Sequence, residues 1–191
     1  MGREYELKFR ATPAQQADIR SAFGPFHTIT METTYFDTPS RSLSARKWTL
    51  RRRLENGVSI CTLKTPADGG ARGEWEVECG DILAAVLKLC KLGAPEALVS
   101  LTADGLVEVC GARFTRQAGL QEVNGTTVEL ALDQGVLLGG GREMPLCEVE
   151  VELKQGEELQ AYAFAMMLSG AFGLKTEEQS KYRRALALAG Y

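Results

Sequence analysis

This 191-residue chain lacks most of the features by which a sequence advertises its chemistry. It has no excess of positive charge. Its 22 Lys and Arg face 25 Asp and Glu, a formal net charge of −3, so no nucleic-acid partner is expected. No apolar run approaches the roughly 18 residues that cross a bilayer, so no membrane partner is expected either. The opening MGREYELKFR is charged and has no apolar core of a signal peptide. Its sixth residue is Glu6, not the Ser or Thr of a myristoylation signal. A cytoplasmic protein is expected. The five cysteines, Cys61, Cys79, Cys90, Cys110 and Cys147, are odd in number and no two are close together. That excludes the closely spaced pairs of a zinc site and points to buried free thiols. His27 is the single histidine, so no Cys/His or Ser/His arrangement for a nucleophile stands out.

What is present is an ordinary globular composition, 45% hydrophobic and 25% charged, with no repeat, low-complexity tract or linker. One domain over 1–191 is expected. Helix signals are few. Thr12-Pro13-Ala14-Gln15 combines an N-cap threonine, proline at the first helical position and a capping-box glutamine, with Ile19, Ala22 and Phe23 as the apolar stripe. A second helix is predicted over about 82–91. A third covers about 157–172, with Leu159, Tyr162, Ala163 and Met166 on one side. A fourth is predicted from Thr176-Glu177-Glu178-Gln179, a second capping box. The remainder reads as strands at 3–10, 28–37, 47–55, 58–65, 72–79, 106–123, 126–138 and 145–154. Asn56-Gly57 and Asn124-Gly125 favour two-residue hairpins, because both central residues need positive φ. The sheet is therefore predicted to be largely antiparallel, and the glycines at 139–141 read as a loop tip.

Three of these strands alternate in the same way. In EYELKF, Glu4, Glu6 and Lys8 share one face while Tyr5, Leu7 and Phe9 share the other. In GEWEVEC, Glu74, Glu76 and Glu78 alternate with Trp75, Val77 and Cys79. In CEVEVEL, Glu148, Glu150 and Glu152 alternate with Cys147, Val149, Val151 and Leu153. Carboxylates two residues apart on a strand lie roughly 6.5–7 Å from one another and repel by about 2.4 kcal/mol at an effective dielectric near 20. A solvated outer face accounts for any one such row. Three of them, facing basic rows, call for bases or a cation.

The basic rows follow from hairpin register. A two-residue turn at Asn56-Gly57 pairs Arg53 with Ile60, Arg51 with Thr62 and Thr49 with Lys64, which gathers Arg51, Arg53, Thr62 and Lys64 on one face. Arg52 falls on the apolar side with Leu50 and Leu54 and reaches solvent along its stem. The turn at Asn124-Gly125 pairs Arg116 with Asp133 and Leu120 with Glu129, with Ala118 and Ala131 leaving space between the charges. Leu120, apolar on the charged face, marks either the rim or a register slip. Amphipathic helices need apolar surface, and the sheet offers it on the face opposite the charges. The expected architecture is thus α+β, an eight-stranded antiparallel β-barrel or tunnel with amphipathic helices packed outside and charges within. Acids on some strands and bases on others suit a polyanion together with a divalent cation such as Mg²⁺ or Mn²⁺.

At this point the motifs resemble a known family. ExExK at Glu4-Tyr5-Glu6-Leu7-Lys8, YFDTP (35–39), LRRR (50–53), TLK (62–64), RGEWEVE (72–78), VELALDQG (128–135), CEVEVEL (147–153) and SKYRR (180–184) follow one another as in the CYTH domains, or triphosphate tunnel metalloenzymes. The likeness spans the whole chain and is nearest the bacterial inorganic triphosphatase branch, without its helical phosphate-binding domain. It implies an eight-stranded tunnel and divalent-metal-dependent hydrolysis of triphosphates. It implies metal ligands at Glu4 and Glu6 with Glu148 and Glu150 opposite and Glu152 assisting, and phosphate contacts from Lys8, Arg51, Arg53, Lys64 and Arg116. Lys181 would reach in from the last helix. Glu76 and Asp133 match acidic tunnel positions, for a second metal or for orienting bases. Phe114 stands where some members carry a further basic residue.

The reaction expected is phosphoryl transfer to water, with Mg²⁺ or Mn²⁺ as cofactor and with Lys8, Glu76, Asp133 and Lys181 as the catalytic set. Tripolyphosphate is the leading substrate. Thiamine triphosphatase, with Trp48, Trp75 or Tyr35 gripping the thiamine, and a class IV-type adenylate cyclase are the related alternatives. A non-catalytic polyphosphate- or nucleotide-binding module is the alternative of another class. The only partner expected is a small-molecule triphosphate, with the chain a monomer or homodimer.

Overall fold

Period-two alternation sorts the strands into a charged face and an apolar face, and the fold rolls the charged face inward. A computed structural model describes residues 5–66 and 72–191. In chain order the elements are β1 (Glu6–Arg10), α1 (Pro13–Ala22), β2 (His27–Asp37), α2 (Ser42–Ala45), β3 (Thr49–Glu55), β4 (Val58–Pro66) and β5 (Arg72–Glu78). There follow α3 (Ile82–Lys91), α4 (Ala97–Leu101), β6 (Val107–Val123), β7 (Thr126–Gly139), β8 (Arg142–Gln155), α5 (Glu158–Phe172), β9 (Lys175–Thr176) and α6 (Lys181–Leu188). All strand pairs are antiparallel, in the order β5-β4-β3-β2-β6-β7-β8-β1-β9.

The expected α+β antiparallel architecture is present, and two details differ. The described sheet has nine strands, the ninth being the two-residue β9. No ladder among the described residues joins β5 to β9, so the sheet curls into a tunnel-like trough without closing. Both Asn-Gly turns have the positive φ values of the inferred type, 49° and 88° at Asn56-Gly57 and 50° and 77° at Asn124-Gly125. The registers follow: Arg51↔Thr62, Arg53↔Ile60, Thr49↔Lys64 and Arg116↔Asp133. Leu120 pairs with Glu129 without a slip and is 64% exposed, so it marks the rim. Irregularities lie instead at Tyr35/Phe36 and at Thr127/Val128.

The apolar face carries two cores. Phe9, Val128, Leu130, Leu132, Val149 and Val151 pack under Ile19 of α1 and Ala161, Phe164, Ala165 and Leu168 of α5. Leu50, Cys61 and Leu63 pack under Leu43 of α2, Ala85, Val86 and Leu89 of α3 and Leu98 of α4. On α1 the capping box forms as expected: Gln15 N donates to Thr12 Oγ1 at 3.2 Å and Thr12 N donates to Gln15 Oε1 at 2.8 Å. Ala22, placed on its stripe by the spacing, is exposed. On α5 the expected stripe is out of phase, since Leu159 and Tyr162 are exposed. From Ala161 to Leu168 the sequence AYAFAMML is almost wholly apolar, so periodicity cannot choose a face. Ala161 and Ala165 decide it by letting the helix approach the sheet closely. The five cysteines are free thiols, as expected, but only Cys61 and Cys110 are buried, with Cys79, Cys90 and Cys147 partly exposed.

The last helix departs most from expectation. Thr176 pairs with Phe9 in β9, and Glu177 N extends that ladder by donating to Lys8 O at 2.8 Å. Thr176 and Glu177 are thus committed to strand pairing with β1, so Thr176 cannot serve as an N-cap, and the Glu177 carboxylate is taken by Arg10, Arg184 and the N–H of Gln179. The helix starts four residues later, where Ser180 Oγ accepts from Arg183 N at 3.2 Å. Whereas the other helices cover the apolar face, α6 lies across the concave one. Ala185 is buried there with Cys110, Ala112, Leu137 and Leu146. The seat requires glycine: a Cβ on Gly139 would lie 2.3 Å from Ala185 O. Arg142 bonds Leu188 O, and the Arg41 guanidinium stacks on Tyr191 at 3.1 Å from the ring centre. The trough is thus stopped at its apolar end by α6 and open at its charged end.

Candidate active site

The open end is a cavity of about 420 Å³. Lys8, Arg51, Arg53, Lys64, Arg116 and Lys181 line it, against Glu6, Glu150 and Glu152 among the described acids. Six basic side chains among those lining residues make a surface that can receive an anion.

Two groups of charges face this space. The first is set by the cross-strand row Arg116↔Asp133↔Glu148 and the row Ala131↔Glu150↔Lys8 beside it. Asp133 is fully buried and receives a bidentate grip from Arg116, with Nε at 2.8 Å and NH2 at 2.7 Å. Arg116 also bonds Glu150. The Lys181 ammonium, one residue into α6, lies 2.9 Å from Asp133, 2.7 Å from Glu148 and 2.5 Å from Glu150. Arg184, one helical turn on, pairs with Glu148 and reaches Glu177, which also binds Arg10 at 2.5 Å. Burial alone would raise the Glu150 carboxyl, but Lys181 and Arg116 outweigh it and hold the group well below the usual carboxylate range. Burial would lower Lys181, and Glu150, Asp133 and Glu148 hold it well above the usual lysine range. Glu150 and Lys181 are thus both ionised at neutral pH.

The second group lies on β3, β4 and β5. Arg51 is 3.8 Å from Glu76 and 4.0 Å from Glu74, Arg53 is 3.9 Å from Glu76 and pairs with Glu55, and Lys64 is 3.2 Å from Glu74. Glu76 is fixed by the Thr62 hydroxyl at 2.9 Å. The Nε groups of Arg51 and Arg53 are buried and have no hydrogen-bond partner among the described residues. Burial, reinforced by the charge of Arg51, pushes the Arg53 guanidinium below its ordinary value. A buried cationic donor left unmet costs more than most missed hydrogen bonds, so this wall is built for an anion.

Glu4 lies outside the described residues. Of the other residues expected as metal ligands, Glu6 and Glu152 are cross-strand partners at the cavity edge, paired with Lys8 at 3.3 Å and Lys154 at 2.9 Å. Glu148 and Glu150 lie deeper, and with Asp133 their carboxylate oxygens come within 4.8 Å of one another. Three hard oxygen donors at this spacing fit a Mg²⁺- or Mn²⁺-sized cation. The expected phosphate contacts all face the cavity. Arg52 does not: it points to the apolar side and bonds Gly80 O at 3.2 Å. Phe114 lines the cavity with its ring 5.4 Å from the Lys181 ammonium.

Sequence reasoning missed Arg184, Arg10 and Glu177, which tie α6 to the carboxylates. Arg184 was readable, three residues after Lys181 and so on the same helix face. It also missed Gln16, wholly buried on α1, whose Nε2 donates to the backbone oxygens of Asp133 (3.0 Å) and Glu148 (2.8 Å) from behind the sheet. The sign was a polar residue one turn before Ile19 on an apolar stripe. Gln16→Leu removes two buried hydrogen bonds, so a loss of about 1–3 kcal/mol in urea unfolding is expected.

The profile of the CYTH domain matches residues 2–186. The chain belongs to the CYTH family. This CYTH chain is 26% identical to the inorganic triphosphatase of Haemophilus influenzae over 98% of its length and 55% of the relative's. It is 31% identical to the human thiamine-triphosphatase over 78% of its length and 61% of the relative's. It therefore spans little more than half the length of these curated relatives. Among solved structures, a Hippeastrum protein described as having a dominant triphosphatase activity shares the fold at a TM-score of 0.64, with 20% identity and 94% and 93% of the two chains covered. The PH1819 protein of Pyrococcus horikoshii does so at 0.61, with 23% identity and 98% and 99% covered.

Proposed function

We propose that this CYTH chain hydrolyses a triphosphate, with inorganic tripolyphosphate as the leading substrate. The observation that carries this reading is the pair of buried Nε groups of Arg51 and Arg53, without a hydrogen-bond partner among the described residues, in the cavity that Glu150 also lines. Arg51, Arg53 and Lys64 would hold the phosphate chain from one side, with Lys8 and Arg116 meeting it from the other. Glu6, Glu150 and Glu152, with Asp133 and Glu148 behind them, would hold a Mg²⁺ or Mn²⁺ ion. That ion supplies neutralisation of charge on the phosphate oxygens. The water oxygen forms its bond to phosphorus as the bridging P–O bond breaks, releasing pyrophosphate and phosphate. Asp133 has both oxygens engaged by Arg116 and Lys181, which suits positioning and not proton uptake. Among the described residues Glu76 is held by Thr62 and two distant guanidinium groups, and is the better candidate to orient the water.

The tryptophans support the inorganic substrate. Trp48 and Trp75 pack into the outer core under α3 and α4, whereas Tyr35 lines the cavity with little exposed surface, packed against Tyr182 at 5.0 Å between rings. Thiamine triphosphate stays as the second reading because of the 31% identity to the human thiamine-triphosphatase. Purified protein should be assayed with tripolyphosphate, thiamine triphosphate and ATP, each with Mg²⁺ and with Mn²⁺. Tripolyphosphate is expected to give the highest kcat/KM. Faster turnover of thiamine triphosphate would move the assignment to the second reading, cyclic AMP from ATP would make it a cyclase, and binding without turnover of any of the three would make it a binding module.

A further inference from the structure

The carboxylate cluster is already balanced by protein charges. Asp133, Glu148 and Glu150 supply three negative charges, and Lys181, Arg116 and Arg184 supply three positive ones, all in direct contact. A divalent cation entering this buried set would leave it with two charges in excess, so a resident base must move away. The three bases differ in how they are held. Arg116 is locked by a two-point grip on Asp133. Arg184 is pinned between Glu148 and Glu177. Lys181 is a compact ammonium on a four-carbon stem that touches all three carboxylates and also lines the open cavity.

We propose that Lys181 is the resident counter-ion of the Asp133–Glu148–Glu150 cluster, and that a divalent cation binds there by displacing its ammonium into the cavity, where it becomes a phosphate contact. This rests on the reading of the cavity as a metal-dependent triphosphate site and adds an exchange to it. One lysine serves as a stand-in cation in the substrate-free protein and as a substrate ligand once the metal is in. The first turn of α6 is a suitable place for such an exchange. Its backbone is held by the Ser180 cap and by Arg184, so only the side chain need turn.

The test uses the substrate-free protein. Mn²⁺ binding is followed by electron paramagnetic resonance or calorimetry for wild type, Lys181→Met and Lys181→Arg. Removing the competing ammonium is expected to tighten Mn²⁺ binding by about tenfold or more, while tripolyphosphate binding weakens. Lys181→Arg, which keeps the charge in a bulkier form, is expected to bind Mn²⁺ no better than wild type. Equal Mn²⁺ affinity in wild type and folded Lys181→Met, or weaker affinity in the variant, would overturn the exchange. If Lys181→Met does not fold, ¹⁵N NMR of the lysine ammonium groups in wild type decides. The slowly exchanging Lys181 signal should disappear on adding Mg²⁺, and its persistence at saturating metal would overturn the proposal. Failure of the hydrolase reading would show separately, as no phosphate release by wild type from any triphosphate with metal.

Discussion

Arg51→Ala and Arg53→Ala are each expected to lower kcat/KM for tripolyphosphate by about 10- to 100-fold, while Arg52→Ala remains within about threefold of wild type. The three residues are consecutive and chemically identical, so only strand parity separates them. Arg51 and Arg53 face the cavity with Nε groups that have no partner among the described residues, and each charged hydrogen bond to phosphate is worth about 1.5–3 kcal/mol. Arg52 bonds Gly80 O on the other side of the sheet and can touch no ligand. Steady-state kinetics on the three variants is sufficient. Equal losses would mean that β3 does not present alternate residues to the substrate. The substitutions should be mild for stability, because Arg51 and Arg53 repel one another and their acidic partners lie mostly near 4 Å.

The same strand shows what was legible in the sequence. An Asn-Gly pair demands positive φ at two successive residues and so counts the register outward residue by residue. That arithmetic alone places Arg51 beside Thr62 and Arg116 beside Asp133, as they are in the sheet. Alternation then told the charged face from the apolar one. These are local constraints, readable because a strand has period two and a two-residue turn has no slack. The misplaced features depend on contacts distant in the chain. α5 offers apolar residues all round, so its face is chosen by how closely alanines approach the sheet. The start of α6 is displaced because Thr176, a suitable N-cap by sequence, is paired as a strand with Phe9, 167 positions earlier. Gln16 reaches the strand carbonyls behind the site only because α1 packs there.

Glu150→Gln and Glu6→Gln are expected to abolish activity in common but to part company in stability. Glu6 sits at the cavity edge, partly exposed, opposite Glu152. Neutralising it relieves like-charge repulsion across the strands, so melting in the presence of a chelator should change little. Glu150 is buried under Lys181 and Arg116. Its neutralisation strands part of two buried cations, a loss of about 3–5 kcal/mol, or about 6–20 °C in Tm for a domain of this size. The two variants should also differ in pH dependence. The Glu150 carboxyl titrates lower when folded than when unfolded, so its stabilisation is complete above the unfolded value and disappears as pH falls through the folded one. Lys181 is raised, so its contribution is complete below the unfolded lysine value and disappears only as pH climbs through the raised one. The cluster therefore spans the neutral range and fails from the acid side. Tm measured from pH 7 down to pH 3 should fall in wild type and Glu6→Gln, and fall less steeply in Glu150→Gln, which has already lost the group concerned. A Glu150→Gln protein as stable as wild type at pH 7 would show that Lys181 and Arg116 are satisfied elsewhere, and that the cluster does not hold α6 against the sheet.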